Sequence, residues 1–241
     1  MDLYTGSGLL YVGSKTRPST AITNETYNKW YDEIHVPHIL ETSGVQSATR
    51  YIACSSSSSS SSTGPDELNW PFLAIYPIED LKYLTTEEFA SIPLVDDLLP
   101  GPNHSCVDCA DFDQRHYASV GDFQLGELYN GTTTPKLLIA HFNPPSELHD
   151  ADSTTVRNWY SQQQTSGVDQ RIQLFKLVFG RRFQGHQSRK LPSFIAMHHV
   201  ATEADYSQVS KSIEAISVAI AGYDLWRAFG LLHPGSEGRT G

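Results

Sequence analysis

The chain contains an internal repeat, and this repeat is the strongest constraint on how it can fold. The dipeptide Trp30-Tyr31 recurs as Trp159-Tyr160, and the tetrapeptide Thr-Ser-Gly-Val at 42–45 recurs at 165–168. The matches occur in the same order in both halves. We therefore interpret the chain as a tandem duplication of one structural unit.

Each half has the same order of predicted strands and helices. A strand-like run opens it, a helix follows, and the shared glycine, Gly44 or Gly167, ends that helix, since glycine tolerates the left-handed conformation of a C-cap. The N-caps of this helix are predicted at Asn24 in one half and at Thr154 or Thr155 in the other. The other predicted elements are first strands at 9–12 and 137–140, third strands at 72–76 and 194–199, second helices from 85 and over 204–221, and last strands at 123–129 and 225–232.

This order of elements, βαββαβ, is the ferredoxin-like arrangement. Such a unit has helices on one face of its sheet and leaves the other face bare, and two bare faces can bury each other. The sequence therefore predicts an α+β fold in which two tandem ferredoxin-like units, 1–134 and 135–241, form an α+β barrel within one chain. A serine-rich surface loop is expected at 55–65 and an irregular excursion at 93–117.

Composition narrows the classes of partner. The net charge is −10 and no cluster of Lys and Arg is present, which argues against nucleic acid and anionic membrane as partners. No apolar run is long enough to span a bilayer, and Met1–Tyr4 does not begin a secretory signal. Three cysteines are too few for a disulfide framework. We predict a cytoplasmic protein that acts on a small molecule, with a homodimer as one open possibility.

The two copies differ most in the segment after the repeated Trp-Tyr pair. Ten residues, Asp32–Glu41, separate that pair from the repeated Thr-Ser-Gly-Val in the first half, whereas only four, Ser161–Gln164, do so in the second. The second copy lacks the equivalent of residues 35–40, which contain two histidines. This asymmetry is typical of a duplicated fold that carries a single active site.

The same segment carries a family resemblance. Trp30-Tyr31-Asp32-Glu33-Ile34-His35-Val36-Pro37 resembles the aromatic-rich helix ending in His-x-Pro of EthD-like proteins, which belong to the dimeric α+β barrel superfamily. The resemblance implies chemistry on small molecules inside a barrel, without a metal or organic cofactor in most members. It also implies decarboxylases, cyclases, isomerases and quinone-forming oxygenases as candidate activities, many of them in fungal natural-product pathways.

His35 is the first candidate for a general acid or base, because the ordinary pKa of histidine, ~6.5, suits proton transfer near neutral pH. Pro37 disfavours helical geometry at Val36, so the sequence predicts a helix break there. A histidine at a broken helix end can point toward the sheet. The alternative is that His35 caps the helix C-terminus, where a cationic ring meets the helix dipole.

The residues next to His35 are weaker candidates for a catalytic role. His38 lies three residues on and can share a face with His35, which makes it a second catalytic candidate or a surface histidine. Asp32 and Glu33 could orient either imidazole, but an acidic pair on a helix is more often solvated. Trp30 and Tyr31 recur in the copy without histidines, and we therefore expect them to pack in the core.

Strand residues complete the predicted site. His141 lies on the first strand of the second half and His198 on its third; both are catalytic candidates and both have structural alternatives. His198 and His199 must point to opposite faces of their strand, and periodicity does not decide which faces the barrel. The predicted substrate-binding aromatics are Tyr11, Tyr51, Tyr76 and Trp226, each of which can equally be core packing.

The segment His104-Ser105-Cys106-Val107-Asp108-Cys109 is the only candidate metal site. A zinc site takes four ligands, and this single Cys-x-x-Cys pair with His104 and His116 nearby matches no standard spacing. The acidic surroundings with proline and glycine do not favour a redox pair. We predict no metal and no cofactor.

The leading functional prediction is a cofactor-independent lyase or isomerase for a small, polar, ring-forming metabolite. His35 transfers the proton in this prediction, assisted by His38 or a tyrosine. Two alternatives stay open: a cofactor-free or haem-assisted oxygenase of the same superfamily, and a non-enzymatic barrel that binds a small molecule in a stress response.

Overall fold

Strands from both halves of the chain form one closed antiparallel barrel. The computed structural model describes residues 4–54, 70–125, 136–148, 151–164, 168, 170–183, 191–200 and 202–230. Within them the barrel strands are β1 (Gly8–Thr16), β2 (Ser47–Ala53), β3 (Phe72–Ile78), β4 (Ala110–Leu125), β5 (Lys136–Phe142), β6 (Gln170–Phe183), β7 (Phe194–Val200) and β8 (Ala219–Gly230).

The order of the strands shows the duplication directly. Around the barrel the order is β1-β3-β2-β8-β5-β7-β6-β4, and β4 pairs with β1 to close it. The first four strands are therefore arranged β4-β1-β3-β2 and the last four β8-β5-β7-β6, which is the same ferredoxin-like order. The halves join along two equivalent pairs, β2 with β8 and β6 with β4. The predicted α+β class and the intramolecular barrel of two such units are confirmed.

Helices cover the outer faces of the two sheets. The helices are α1 (Asn24–Trp30), α2 (Val36–Leu40), α3 (Glu87–Ala90), α4 (Cys106–Cys109), α5 (Ser153–Gln162) and α6 (Glu203–Ile213). The cap residues differ from the predicted ones: α1 follows Thr23, whose side chain accepts from the Thr26 amide, and α5 follows Asp152, whose side chain accepts from the Thr155 amide. A π-helical turn, Tyr31–His35, joins α1 to α2 without a break.

Strand alternation separates the buried side chains into three cores. On β1, Leu9 and Tyr11 point into the barrel, whereas Leu10 and Val12 point outward beneath the first helices. The second half has its own outer core, in which Val156 of α5 packs with strand residues. The sheets thus bury apolar side chains on both faces, and this explains why periodicity alone did not distinguish the faces.

One predicted irregular segment is largely a strand. The excursion expected at 93–117 ends at α4, and β4 begins at Ala110, well before the last strand predicted at 123–129. Its inward-facing charges made this stretch look like a loop, but Asp113 and Arg115 satisfy each other inside the barrel. In the second half, α6 ends at Ile213 and β8 begins at Ala219, so the helix predicted over 204–221 was too long.

Several predictions fall outside the described residues. These are the serine run at 55–62, Gly167 and the boundary between residues 134 and 135. The division into units 1–134 and 135–241 therefore stays a proposal. Among the described residues, no helix is long and apolar enough to cross a membrane.

Gly44, one of the repeated residues, is required for a different reason from the one the sequence suggested. The described glycines with a left-handed backbone are Gly6, Gly101 and Gly121, and Gly44 is not among them. A Cβ added to Gly44 would lie 2.1 Å from Cγ of the Tyr83 ring. Glycine is needed here because an aromatic ring packs directly against the backbone.

Gly44→Ala should therefore destabilise the protein by about 1–3 kcal/mol, the usual cost of overpacking a core. In a Tyr83→Leu background the same substitution should cost much less, since the smaller side chain leaves room for the methyl group. Urea denaturation of the four proteins of this cycle measures both costs. An equal cost in the two backgrounds would show that the Tyr83 ring is not the reason.

Candidate functional site

A cavity of about 490 Å³ borders the barrel interior beside Tyr51 and His199. A smaller cavity, of about 340 Å³, lies outside the barrel, between the sheet of the first half and its helices, and most of its lining is aliphatic and aromatic. Second-half residues on β6 complete the wall beside β4, because those two strands join the halves. The lining residues are Tyr4, Leu10, Val12, Tyr31, His35, Ile39, Tyr76, Leu84, Phe89, Ala90, Ile92, Leu94, Cys106, Val107, Phe112, Gln114, His116, Phe179, Arg181 and Phe183.

The π-helical turn places His35 on the wall of this cavity. The amide of Val36 donates to the carbonyl of Tyr31, five residues back, which widens the helix at this point. Pro37 has no N–H, and in a regular helix its ring would press against the carbonyl of Glu33. The wide turn accommodates the proline, and the helix continues to Leu40. The predicted break at Val36 is wrong, and so is the alternative in which His35 caps a helix C-terminus.

The His35 ring is held on both sides and has one nitrogen without a partner. It stacks on Trp30 with a centroid distance of 4.8 Å and meets the edge of Tyr31 at 5.1 Å. Nδ1 is buried and has no hydrogen-bond partner among the described residues. Burial is the largest cause that lowers the pKa of His35, to about 4. The imidazole is therefore neutral at pH 7, with a bare lone pair.

A pair of tyrosine hydroxyls lies next to His35. Tyr76 donates to Tyr31 at 3.3 Å, which leaves the Tyr31 proton for an acceptor in the cavity. The guanidinium of Arg50 sits 4.2 Å from the Tyr31 ring centroid and opposes the rise in the Tyr31 pKa that burial causes. Tyr31 therefore lines the cavity as a hydrogen-bond donor, although the repeat predicted only core packing for it.

Asp32 is buried, and the expectation that it is solvated is wrong. Its carboxylate accepts from Arg50 at 2.5 Å and from the indole of Trp226 at 2.9 Å. These partners lie on β2 and β8, so Asp32 ties the helix to the seam between the halves. Trp226 is itself half exposed and lies outside the cavity lining, and Glu33 is exposed.

The structure adds a second polar group that the sequence analysis missed. His116 on β4 lies between the Tyr4 hydroxyl, 3.0 Å from Nδ1, and the Gln114 amide nitrogen, 3.0 Å from Nε2. Gln114 in turn accepts from Arg181 Nε at 2.9 Å. The strand-like alternation of Phe112, Gln114 and His116 could have placed these side chains on one face, but this stretch was read as an irregular excursion.

Three predicted site residues lie on the other side of the sheet. Tyr11, Tyr51 and His141 are in the barrel interior, whereas His35 is outside it. His141 Nδ1 lies 3.3 Å from Nη1 of Arg115, and burial first, then this cation, holds the His141 pKa well below its usual value. Of the predicted aromatics, Tyr76 lines the cavity with His35, whereas Tyr11 and Tyr51 face the barrel interior.

The remaining histidine candidates are also away from His35. His198 faces the helices of the second half, where Tyr160 lies 2.9 Å from Nε2 and Gln170 lies 2.8 Å from Nδ1. His199 faces the barrel and contacts Gln173 at 2.9 Å. His38 is half-buried and is not part of the cavity wall.

The Cys-x-x-Cys segment packs as part of the fold. Cys106 and Cys109 are both buried and reduced, and the Cys109 thiol donates to the carbonyl of Pro100 at 3.3 Å. His104 Nδ1 lies 2.9 Å from the carbonyl of Leu99. In the part of the chain that the structure describes, no group of three or more His, Cys, Asp or Glu side chains could hold a metal ion.

Comparison with solved structures finds the same architecture in proteins of very different sequence. An anthrone oxidase-like protein shares 11% identity with this chain and has a TM-score of 0.51, over 94% of this chain and 93% of that one. The chain has the dimeric α+β barrel fold. No protein-family model and no curated protein sequence matches the chain.

Two further solved structures match this α+β barrel over most of its length. One is a candidate monooxygenase from Fusobacterium nucleatum subsp. nucleatum, with 8% identity, a TM-score of 0.49 and coverage of 95% and 96% of the two chains. The other is a candidate chlorite dismutase, with 9% identity, a TM-score of 0.49 and coverage of 92% and 96%. The EthD-like assignment and the natural-product origin stay predictions.

The two units of this α+β barrel keep one contact and differ in another. Tyr31 bonds to Tyr76 in the first unit as Tyr160 bonds to His198 in the second. The helix α5 is a regular α-helix, and the Tyr160 ring packs 4.6 Å from that of Phe142. The π turn with its histidine occurs in the first unit.

Burial lowers the pKa of five described histidines. The value falls to about 4 for His35, His116 and His199, to about 3 for His198, and well below the usual range for His141. The folded protein therefore binds these protons less readily than the unfolded chain, whose histidines titrate near ~6.5. The free energy of unfolding therefore contains a contribution from these neutral histidines. This contribution is fully present above pH ~6.5 and is lost as the pH falls toward 4.

The melting temperature should accordingly fall steeply between pH 6.5 and 4.5, with each histidine contributing up to ~1.4 kcal/mol per pH unit. Carboxylates titrate mainly below this window. His198→Gln should reduce the slope of stability against pH by the equivalent of up to one proton. This change in slope is expected whatever the substitution does to stability at pH 7. A melting temperature that is flat from pH 6.5 to 5 would contradict the burial of neutral histidines.

Proposed function

We propose that the chain is an enzyme that removes a proton from a small, mainly apolar ring molecule, with His35 as the general base. The observation that carries this proposal is that His35 lines the cavity and that its buried Nδ1 has no hydrogen-bond partner among the described residues. A neutral imidazole with a free lone pair is ready to accept a proton. The apolar lining favours a less polar substrate than the sequence suggested.

The low pKa of His35 sets a requirement on the rest of the site. A base with a pKa near 4 accepts a proton readily only if the negative charge left on the substrate is stabilised at the same time. Tyr31, four residues before His35, offers its hydroxyl proton for this role and is held by Tyr76. The π turn thus brings together a base and a hydrogen-bond donor.

The reaction that best fits this pair is a cofactor-independent lyase or isomerase reaction. Proton transfer between His35 and a carbon next to a carbonyl, with Tyr31 donating to the developing oxyanion, is the common step of rearrangement and cyclisation. The independence from a cofactor comes from the EthD-like resemblance. His141 and His198 have no part in this proposal, since the sheet or its other unit separates them from the cavity.

An oxygenase is the second candidate, and the anthrone oxidase-like neighbour motivates it. In that case the same proton removal gives an electron-rich carbanion, which then reacts with O₂. Both candidates place His35 at the first step. They differ in whether O₂ is consumed.

Hydrogen–deuterium exchange tests the proton step with 2-tetralone and anthrone, two flat carbon acids. The protein should accelerate exchange at the acidic carbon, and His35→Gln should lower that rate by ~10²–10⁴-fold, because glutamine keeps a polar side chain but cannot take the proton. His38→Gln is the matched control and should leave the rate nearly unchanged. Unfolding curves of each variant separate loss of activity from loss of fold.

A His35→Gln protein that exchanges at the normal rate per folded molecule would contradict the proposal. An oxygen electrode separates the two candidate reactions. Exchange without O₂ uptake supports the lyase or isomerase, whereas O₂ uptake that depends on His35 assigns the oxygenase. If neither compound exchanges faster with the protein than without it, the cavity does not act on carbon acids of this type.

A further inference from the structure

Among the described residues that line the cavity around His35, Arg181 is the charged side chain. The two histidines there are held neutral, and these described residues include no Asp or Glu. Arg181 forms no ion pair with any described residue. A cation beside an apolar cavity is a recognition element for an anionic group.

The guanidinium of Arg181 is held in a fixed orientation. Its Nε donates to Gln114 Oε1 at 2.9 Å, and its Cζ lies 4.2 Å from the ring centroid of Phe183. These contacts occupy the Nε–H and one face of the guanidinium. The two terminal nitrogens have no hydrogen-bond partner among the described residues, so a pair of parallel donors is left for a ligand.

Gln114 is itself oriented by a second contact. Its amide nitrogen can only donate, so it donates to His116 Nε2, and its oxygen is thereby directed toward Arg181. His116 then carries its proton on Nδ1, next to the Tyr4 hydroxyl. This chain of contacts organises Arg181 in advance, which lowers the entropic cost of binding a ligand there.

We propose that the substrate carries a carboxylate on a flat apolar ring system and that Arg181 binds this carboxylate. This inference rests on the proposed function, since it names the substrate class of the same cavity. Two parallel N–H groups on one planar edge match the two oxygens of a carboxylate. A phosphate dianion is a poorer match, because the described lining of the cavity offers a single cation and the protein has a net charge of −10.

A pair of probes with the same ring tests the proposal by calorimetry. These are 2-naphthoate, which carries the carboxylate, and 2-naphthylmethanol, which is neutral and of similar size. The protein should bind 2-naphthoate on the order of 10- to 100-fold more tightly than the alcohol at pH 7, the usual range for hydrogen bonds to a charged group. Arg181→Gln should remove this preference and leave the affinity for the alcohol unchanged.

Arg171→Gln is the matched control. Arg171 lies on the same strand, β6, but it is exposed, pairs with Asp122 at 3.1 Å and is outside the cavity. This variant should keep the full preference for 2-naphthoate. Retention of the preference in Arg171→Gln would exclude a general effect of net charge.

His35→Gln distinguishes this inference from the proposed function. It should keep the preference for the carboxylate, since Arg181 is intact, while the rate of proton exchange falls. Equal affinity of the two probes for the unaltered protein would overturn the inference. So would an equal loss of both affinities in Arg181→Gln, or no binding of either probe.

Discussion

The bare face of each four-stranded sheet must be covered, and this requirement decides where a site can lie. The two sheets cover each other, joined by the pairs β2–β8 and β4–β6, and their inner faces become a barrel interior. Tyr11, Tyr117 and Tyr223 are fully buried within that interior. The cavity that His35 lines is on the outer side, where short helices and the segment before β4 cover the sheet of the first half. The same junction brings β6 into its wall, so Arg181 of the second half completes the lining of a cavity of the first half.

Asymmetry within the duplicated fold comes from six additional residues. They insert Pro37 into a helix that its partner copy completes without interruption. The π turn accommodates that proline and places His35 and Tyr31 together at the cavity. Asp32 in this turn accepts hydrogen bonds from Arg50 on β2 and from Trp226 on β8, and these contacts hold the turn against both strands. A local irregularity of the backbone is thus fixed by contacts that cross the whole barrel.

The sequence was sufficient for the fold, because the repeat determines which strands correspond and apolar runs locate most of them. The difference between the copies also singled out the segment of His35, whose side chain lines the outer cavity. The sequence did not determine which face of the sheet His35 would lie against. Both faces of β1 and β7 are apolar, so alternation gave two equivalent answers. The burial of Asp32 was not predicted, because Trp226, one of its partners, lies far away in sequence. The position of His116 in the cavity was not predicted either, because the charged residues beside it made strand β4 look like an irregular segment.

Nuclear magnetic resonance of isotope-labelled histidine side chains tests whether ligands bind outside the barrel against His35. Single substitutions assign each histidine, and 2-naphthoate is then added at pH 7. His35 should begin as a neutral ring, because burial lowers its pKa to about 4. On binding, the resonances of His35 and His116 should shift, while those of His141 and His199, on the barrel side of the sheet, should not. Shifts confined to His141 or His199 would place the ligand inside the barrel and exclude the outer cavity as its site.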